Sequence, residues 1–151
     1  MMSVLEEVVE KLRREKDIFS EMLQIADRQL QLARGAEDES WLDEFLRLLE
    51  LRQGLMQEVD QLTKEVEAVR ARPGSYEETG EVREKYRTLV DEIKGLIAQI
   101  QAKDTTCQEI MQARLKGLEE KLGEVRTSRK ANQAYRLPPG TNPAWFIDKK
   151  R

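Results

Sequence analysis

The only thiol in the chain is Cys107, and the sequence holds no histidine to activate it. A cysteine nucleophile needs a neighbouring base, and histidine is both the commonest such base and the commonest metal ligand. Carboxylates are plentiful, but pairs such as Glu6-Glu7 and Glu119-Glu120 are sequence neighbours, which point in different directions on a helix. There is no phosphate-binding glycine loop, no cysteine pair spaced for zinc and no calcium-loop spacing. The expectation is therefore a protein that is not an enzyme and carries no cofactor or metal. The remaining chemistry is apolar contact. Ile110, Met111, Leu115, Leu118, Leu122 and Val125 recur at helical spacing, and a closing segment sets Trp145, Phe146 and Ile147 beside Lys149, Lys150 and Arg151. Both suit the recognition of another protein.

Long helices have to present these residues. Of 151 residues, 39% are hydrophobic and 36% charged, a balance that fits helices burying narrow stripes. Leu5, Val9, Leu12, Phe19, Leu23, Ala26, Leu30 and Ala33 alternate four and three apart, with Lys16 filling the gap, and predict a helix over about 3–34 stopped by Gly35. After an acidic turn, Ser40 is a candidate N-cap, with Asp43 as a weak capping box. The helix that follows, 40–70, has the seam Trp41, Phe45, Leu48, Leu55, Val59, Leu62, Val66 and Val69. Arg52 is its one polar member, and Leu42, Leu49 and Met56 widen the stripe. Lys16 and Arg52 are expected to lay their stems along the seams while their charged heads reach water or an acid such as Asp60. Trp41 is expected to cover the end of the hairpin, and Cys107 to be a buried structural thiol.

Arg72-Pro73-Gly74 ends the second helix, and Ser75 with Glu78 forms a capping box before the third. The third seam runs Val82, Tyr86, Leu89, Ile93, Leu96, Ile100, then Cys107, Met111, Leu115, Leu118, Leu122 and Val125. Lys103-Asp104-Thr105-Thr106 between the halves has cap chemistry, but it holds no Gly or Pro and no spare residues for a turn. It therefore predicts one continuous or gently kinked helix over 81–134. Pro138, Pro139, Gly140 and Pro143 stop helix formation beyond it. The fold class is all-α: an elongated antiparallel hairpin packed on a long third helix, a three-helix bundle or coiled coil over 1–134, with a flexible tail at 135–151. Because the third helix outruns the hairpin, the stripe from Ile110 to Val125 is exposed unless a partner covers it.

One cysteine excludes an internal disulfide. The opening residues are acidic and interrupted by charge, unlike a signal peptide, and no apolar run approaches the roughly 20 residues that span a bilayer. The expectation is a cytoplasmic protein with no membrane insertion. A net charge of −3 gives no general attraction to nucleic acid. Charge is nevertheless segregated: residues 35–74 carry ten acids and five bases, whereas residues 126–151 carry seven bases and one acid, which is either a solvated tail or a patch for an acidic partner surface.

Residues 41–59, WLDEFLRLLELRQGLMQEV, with the Val59-Asp60 step after them, resemble the second helix of the flagellar export chaperones of the FlgN/FliT type. The segment RKANQAY at 129–135 resembles their C-terminal signature of a basic residue, small residues and a tyrosine, and Phe146-Ile147-Asp148-Lys149-Lys150 looks like the close of many members. The resemblance implies a cytosolic chaperone for the helical terminal region of a flagellar hook-associated (hook–filament junction) or cap protein, delivering it to the cytosolic domain of the type III export gate. It implies a substrate face of Ile110, Met111, Leu115, Leu118, Leu122 and Val125, and a gate contact at Tyr135. The segment between Pro138 and Pro143 departs from the family pattern and leaves Trp145 and Phe146 as partner-binding residues read from their chemistry alone. The alternative is a coiled-coil structural or adaptor protein that homodimerises through its long helix.

Overall fold

The computed structural model describes residues 3–35, 40–73 and 79–125, with the backbone alone at 118 and 121–125. It contains three helices: α1 over Val4–Gly35, α2 over Ser40–Arg70 and α3 over Gly80–Val125. Helices α1 and α3 begin where a short polar side chain takes up free backbone donors. The Glu6 N–H donates to Ser3 Oγ at 3.2 Å, and the Val82 N–H donates to Thr79 Oγ1 at 3.3 Å. Thr79 therefore caps α3, and the Ser75–Glu78 capping box lies outside the described residues. The fold is all-α, and α3 passes through Asp104 without a break.

Ion pairs and hydrogen bonds give the directions of the helices. Glu7 meets Arg72, Glu15 meets Thr63 and Glu44 meets Arg28, so α1 and α2 are antiparallel. Lys16 pairs with Glu92 and Asp27 with Lys103, so α1 and α3 run parallel in one register. Helix α1 packs directly on both others, whereas among the described residues no Cα of α2 comes within 8 Å of a Cα of α3. Side chains bridge that wider gap: Arg52 to Asp104, Arg70 to the Tyr86 hydroxyl at 2.7 Å, and Arg114 over the Trp41 ring.

The core has two apolar parts. The larger holds Ile18, Phe19, Met22 and Ala26 of α1, Val59 and Leu62 of α2, and Ile93 and Ile100 of α3. The smaller, at the hairpin tip, holds Leu30, Ala33, Phe45 and Cys107. Between them each helix contributes one polar side chain: Gln29, Arg52 and Asp104. Arg52 is 2% exposed, and its two terminal nitrogens donate to the two Asp104 carboxylate oxygens at 2.7 Å each. Arg52 Nη1 also donates to Gln29 Oε1 at 3.0 Å, and Gln29 Nε2 donates to the Phe45 carbonyl at 3.4 Å. Arg52 Nε is buried with no hydrogen-bond partner.

This corrects the expectation for Arg52. Its head neither reaches water nor approaches an acid on its own helix. The wide α2–α3 gap admits a guanidinium, and a carboxylate across the gap holds it in the two-pronged geometry that favours arginine. Lys16, in contrast, pairs with Glu92 at the surface.

The polar layer makes a sharp prediction. Asp104→Ala leaves a buried cation without a counter-ion, and stability should fall by about 3–5 kcal/mol. Chemical denaturation followed by circular dichroism reads that loss. Arg52→Met combined with Asp104→Leu should recover most of it, and a double variant no more stable than Asp104→Ala would contradict the account. A second prediction concerns Glu15, whose carboxyl is raised above its ordinary value by burial, against an opposing hydrogen bond from Thr63. A carboxyl raised in the folded state binds its proton more tightly there, so its burial costs stability above the raised value, and that cost fades as pH falls toward 4.5. Glu15→Gln should therefore raise the melting temperature at pH 7, with a gain that shrinks toward pH 4.5.

Candidate partner-binding surface

The end of the bundle that carries the expected site is built from the hairpin tip outward. The Asp27–Lys103 pairing places the last turn of α1 level with the turn of α3 that contains Ile110 and Met111. Both side chains are half-buried, packed with Leu32 and Trp41 against the Leu30–Ala33–Phe45–Cys107 cluster. Trp41 stands edge-on to Phe45, with ring centroids 5.9 Å apart and an 81° angle between planes, and the Arg114 guanidinium sits 5.7 Å above the Trp41 ring. The hairpin tip therefore covers part of the stripe that helix lengths alone left open. Parallel register between α1 and α3 carries the end of α1 as far as Met111, and Trp41 extends the cover to Arg114.

Beyond that point α3 continues to Val125 with α1 already ended. Leu115 is half-buried, and Leu118, Leu122 and Val125 lie on the projecting backbone. The projection from Met111 is roughly 20 Å at about 1.5 Å per residue. Tyr135, Trp145 and Phe146 fall outside the described residues, so they are not placed relative to this end.

A second apolar feature lies on α2. Leu42 is 43% exposed and Leu46 is 46% exposed, and Leu49, one further turn along, is half-buried. Spacings of four and three put the three on one face. Glu44 faces α1 through its pair with Arg28, and Phe45 and Arg52 point into the core. At about 100° per residue, the leucines then lie on the opposite flank of α2, on the side of α3. Asp43 and Glu50, both exposed, border them on the solvent side. Sequence reading singled out Leu42 and Leu49 only as widening the seam and passed over Leu46; the i, i+4, i+7 spacing was the available signal.

No protein-family model, no curated protein and no solved structure matches this chain.

Among the described residues no group of three or more His, Cys, Asp or Glu side chains is placed to hold a metal ion, and no helix is long and apolar enough to cross a membrane. Cys107 is 3% exposed. Burial first, and the Asp104 carboxylate second, push its thiol up to about 11, against the opposite pull of Arg52. The thiol is thus protonated and shielded at neutral pH, the opposite of what a nucleophile requires. One exposed ion pair also joins α1 and α2 near the tip: the Arg28–Glu44 hydrogen bonds at 3.0 and 3.1 Å raise the Arg28 guanidinium and lower the Glu44 carboxyl from their ordinary values.

Native protein at pH 8 should therefore react with an aromatic disulfide reagent at least a hundredfold more slowly than the same protein in denaturant. Equal rates in the two conditions would mean that the hairpin tip is open in solution.

Proposed function

We propose that the chain is a chaperone for a helical segment of another protein, of the flagellar export type that its sequence resembles. Its client is a hook–filament junction or filament cap protein, which it hands in the cytosol to the type III export gate. The observation that carries this reading is that α3 projects past the end of α1 with apolar residues on its seam. An amphipathic client helix laid beside Leu115, Leu118, Leu122 and Val125 replaces α1 as the missing neighbour and extends the bundle. This is the helix-in-groove mode of recognition. Each fully buried Leu- or Val-sized anchor contributes roughly 1.5–3 kcal/mol before ordering costs, so four or five suffice for micromolar binding. Ile110 and Met111, held between the tip cluster and this projection, form the floor of the groove, and Tyr135 is the gate contact. A buried unreactive thiol and the lack of histidine fit a binding role.

The test is co-expression with flagellar junction and cap proteins, followed by size exclusion with light scattering. A one-to-one complex with one of them is expected. Leu118→Asp or Leu122→Asp should weaken it at least tenfold while the helical signal and the unfolding midpoint stay unchanged. A truncation after Thr106 is unsuitable, because it removes Cys107, Ile110 and Met111 from the tip cluster. Undiminished binding by both aspartate variants would sink the assignment of the groove. A stable homodimer that binds no client would favour the coiled-coil adaptor instead.

A further inference from the structure

The exposed leucines of α2 have no part in the client groove proposed above, yet they sit in an unusual electrostatic setting. Asp43 and Glu50, both exposed, border them, within a stretch, residues 36–51, that carries six acids against one base, Arg47. The chain itself contains the complementary element. Residues 126–151 carry seven bases and one acid, and Trp145, Phe146 and Ile147 stand directly before Lys149, Lys150 and Arg151. Large apolar groups next to cations match large apolar groups next to carboxylates.

We propose that the segment 145–147 docks on the Leu42–Leu46–Leu49 face of α2 in the same molecule, with Lys149, Lys150 and Arg151 against the acids around it. The tether allows it. Trp41 meets Arg114, so the leucine face begins level with that turn of α3 and runs back toward Cys107. Val125 lies eleven residues beyond Arg114. The path from the end of α3 back along the axis and across one helix is then roughly 30 Å. Nineteen residues separate Val125 from Trp145, and with 126–134 helical, as the seam predicts, the ten residues 135–144 still reach about 35 Å when extended, close to the straight-line distance from that helix end to the near edge of the leucine face. Because the docked segment would lie beside α3, it places the basic end of the chain next to the client groove.

Paramagnetic relaxation tests the contact on the full chain. A nitroxide is attached to Asp148→Cys, with Cys107 left unlabelled because it is buried, and leucine methyl signals are recorded. The methyls of Leu42, Leu46 and Leu49 should lose more than half their intensity while those of Leu5, Leu12 and Leu89, at the other end of the bundle, do not change. Adding Trp145→Ser and Phe146→Ser should restore the signals, as should Leu46→Glu, an exposed substitution whose folding is checked by circular dichroism. Uniform or absent broadening would overturn the proposal. The same loss in a mixture of spin-labelled chain with isotope-labelled chain would overturn it too, since the occupant would then be a second copy. No client is present, so failure here is separate from failure of the chaperone reading.

Discussion

The two hydrogen bonds between Arg52 and Asp104 hold the structure in one alignment. Among the described residues they form the one buried ion pair; it spans the wide α2–α3 gap, and it sits between the two apolar parts of the core. Apolar seams with four–three spacing tolerate sliding, because every turn offers a similar surface. A guanidinium with one buried carboxylate to meet does not. A shift of one turn would leave a cation and an anion desolvated and unpaired, which costs far more than any gain from re-seating leucines. Burial of such a pair contributes little net stability, and the unpartnered Arg52 Nε adds to its cost. Its value is registry.

The consequences reach the end of the molecule. With α2 aligned to α3 by the polar layer and α1 aligned to both by the Arg28–Glu44 and Asp27–Lys103 pairs, the hairpin tip falls at Ile110 and Met111. That register decides how much of α3 is covered and how much projects. It also places Cys107 one turn from Asp104, so the carboxylate that aligns the helices adds to burial in keeping the thiol protonated. A chaperone of the proposed kind needs this combination: a tip rigid enough to present a seam, and a seam left without its third neighbour. Leu42 and Leu46 are exposed on the α2 flank of the tip as well, bordered by the exposed Asp43 and Glu50.

Much of this was legible before any coordinates. The four–three spacing of Leu5 to Ala33 and of Trp41 to Val69 determined two long helices, because a stripe that narrow can be buried only along the length of a neighbouring helix. Gly35 and Ser40 marked the turn through their own backbone preferences, and the lack of Gly or Pro around Asp104 marked α3 as continuous. These are local properties, so the sequence determined them by itself. Trp41 over the hairpin end and Cys107 as a buried thiol followed from their positions on the seams.

The polar layer was half legible. Ile100, Asp104, Cys107 and Met111 keep the four–three rhythm, and Asp104 could have been read as a seam residue instead of a cap. What no pattern along one helix contains is the partner across the gap, and so spacing alone points Arg52 to water or Asp60. Nor could spacing place the end of α1 at Met111, or leave Leu46 uncovered. Those depend on how far each helix is shifted along the others, a quantity that repeats with every turn in an apolar seam. Only the tertiary structure chose among the repeats, and it did so where three polar side chains from three helices had to be buried together.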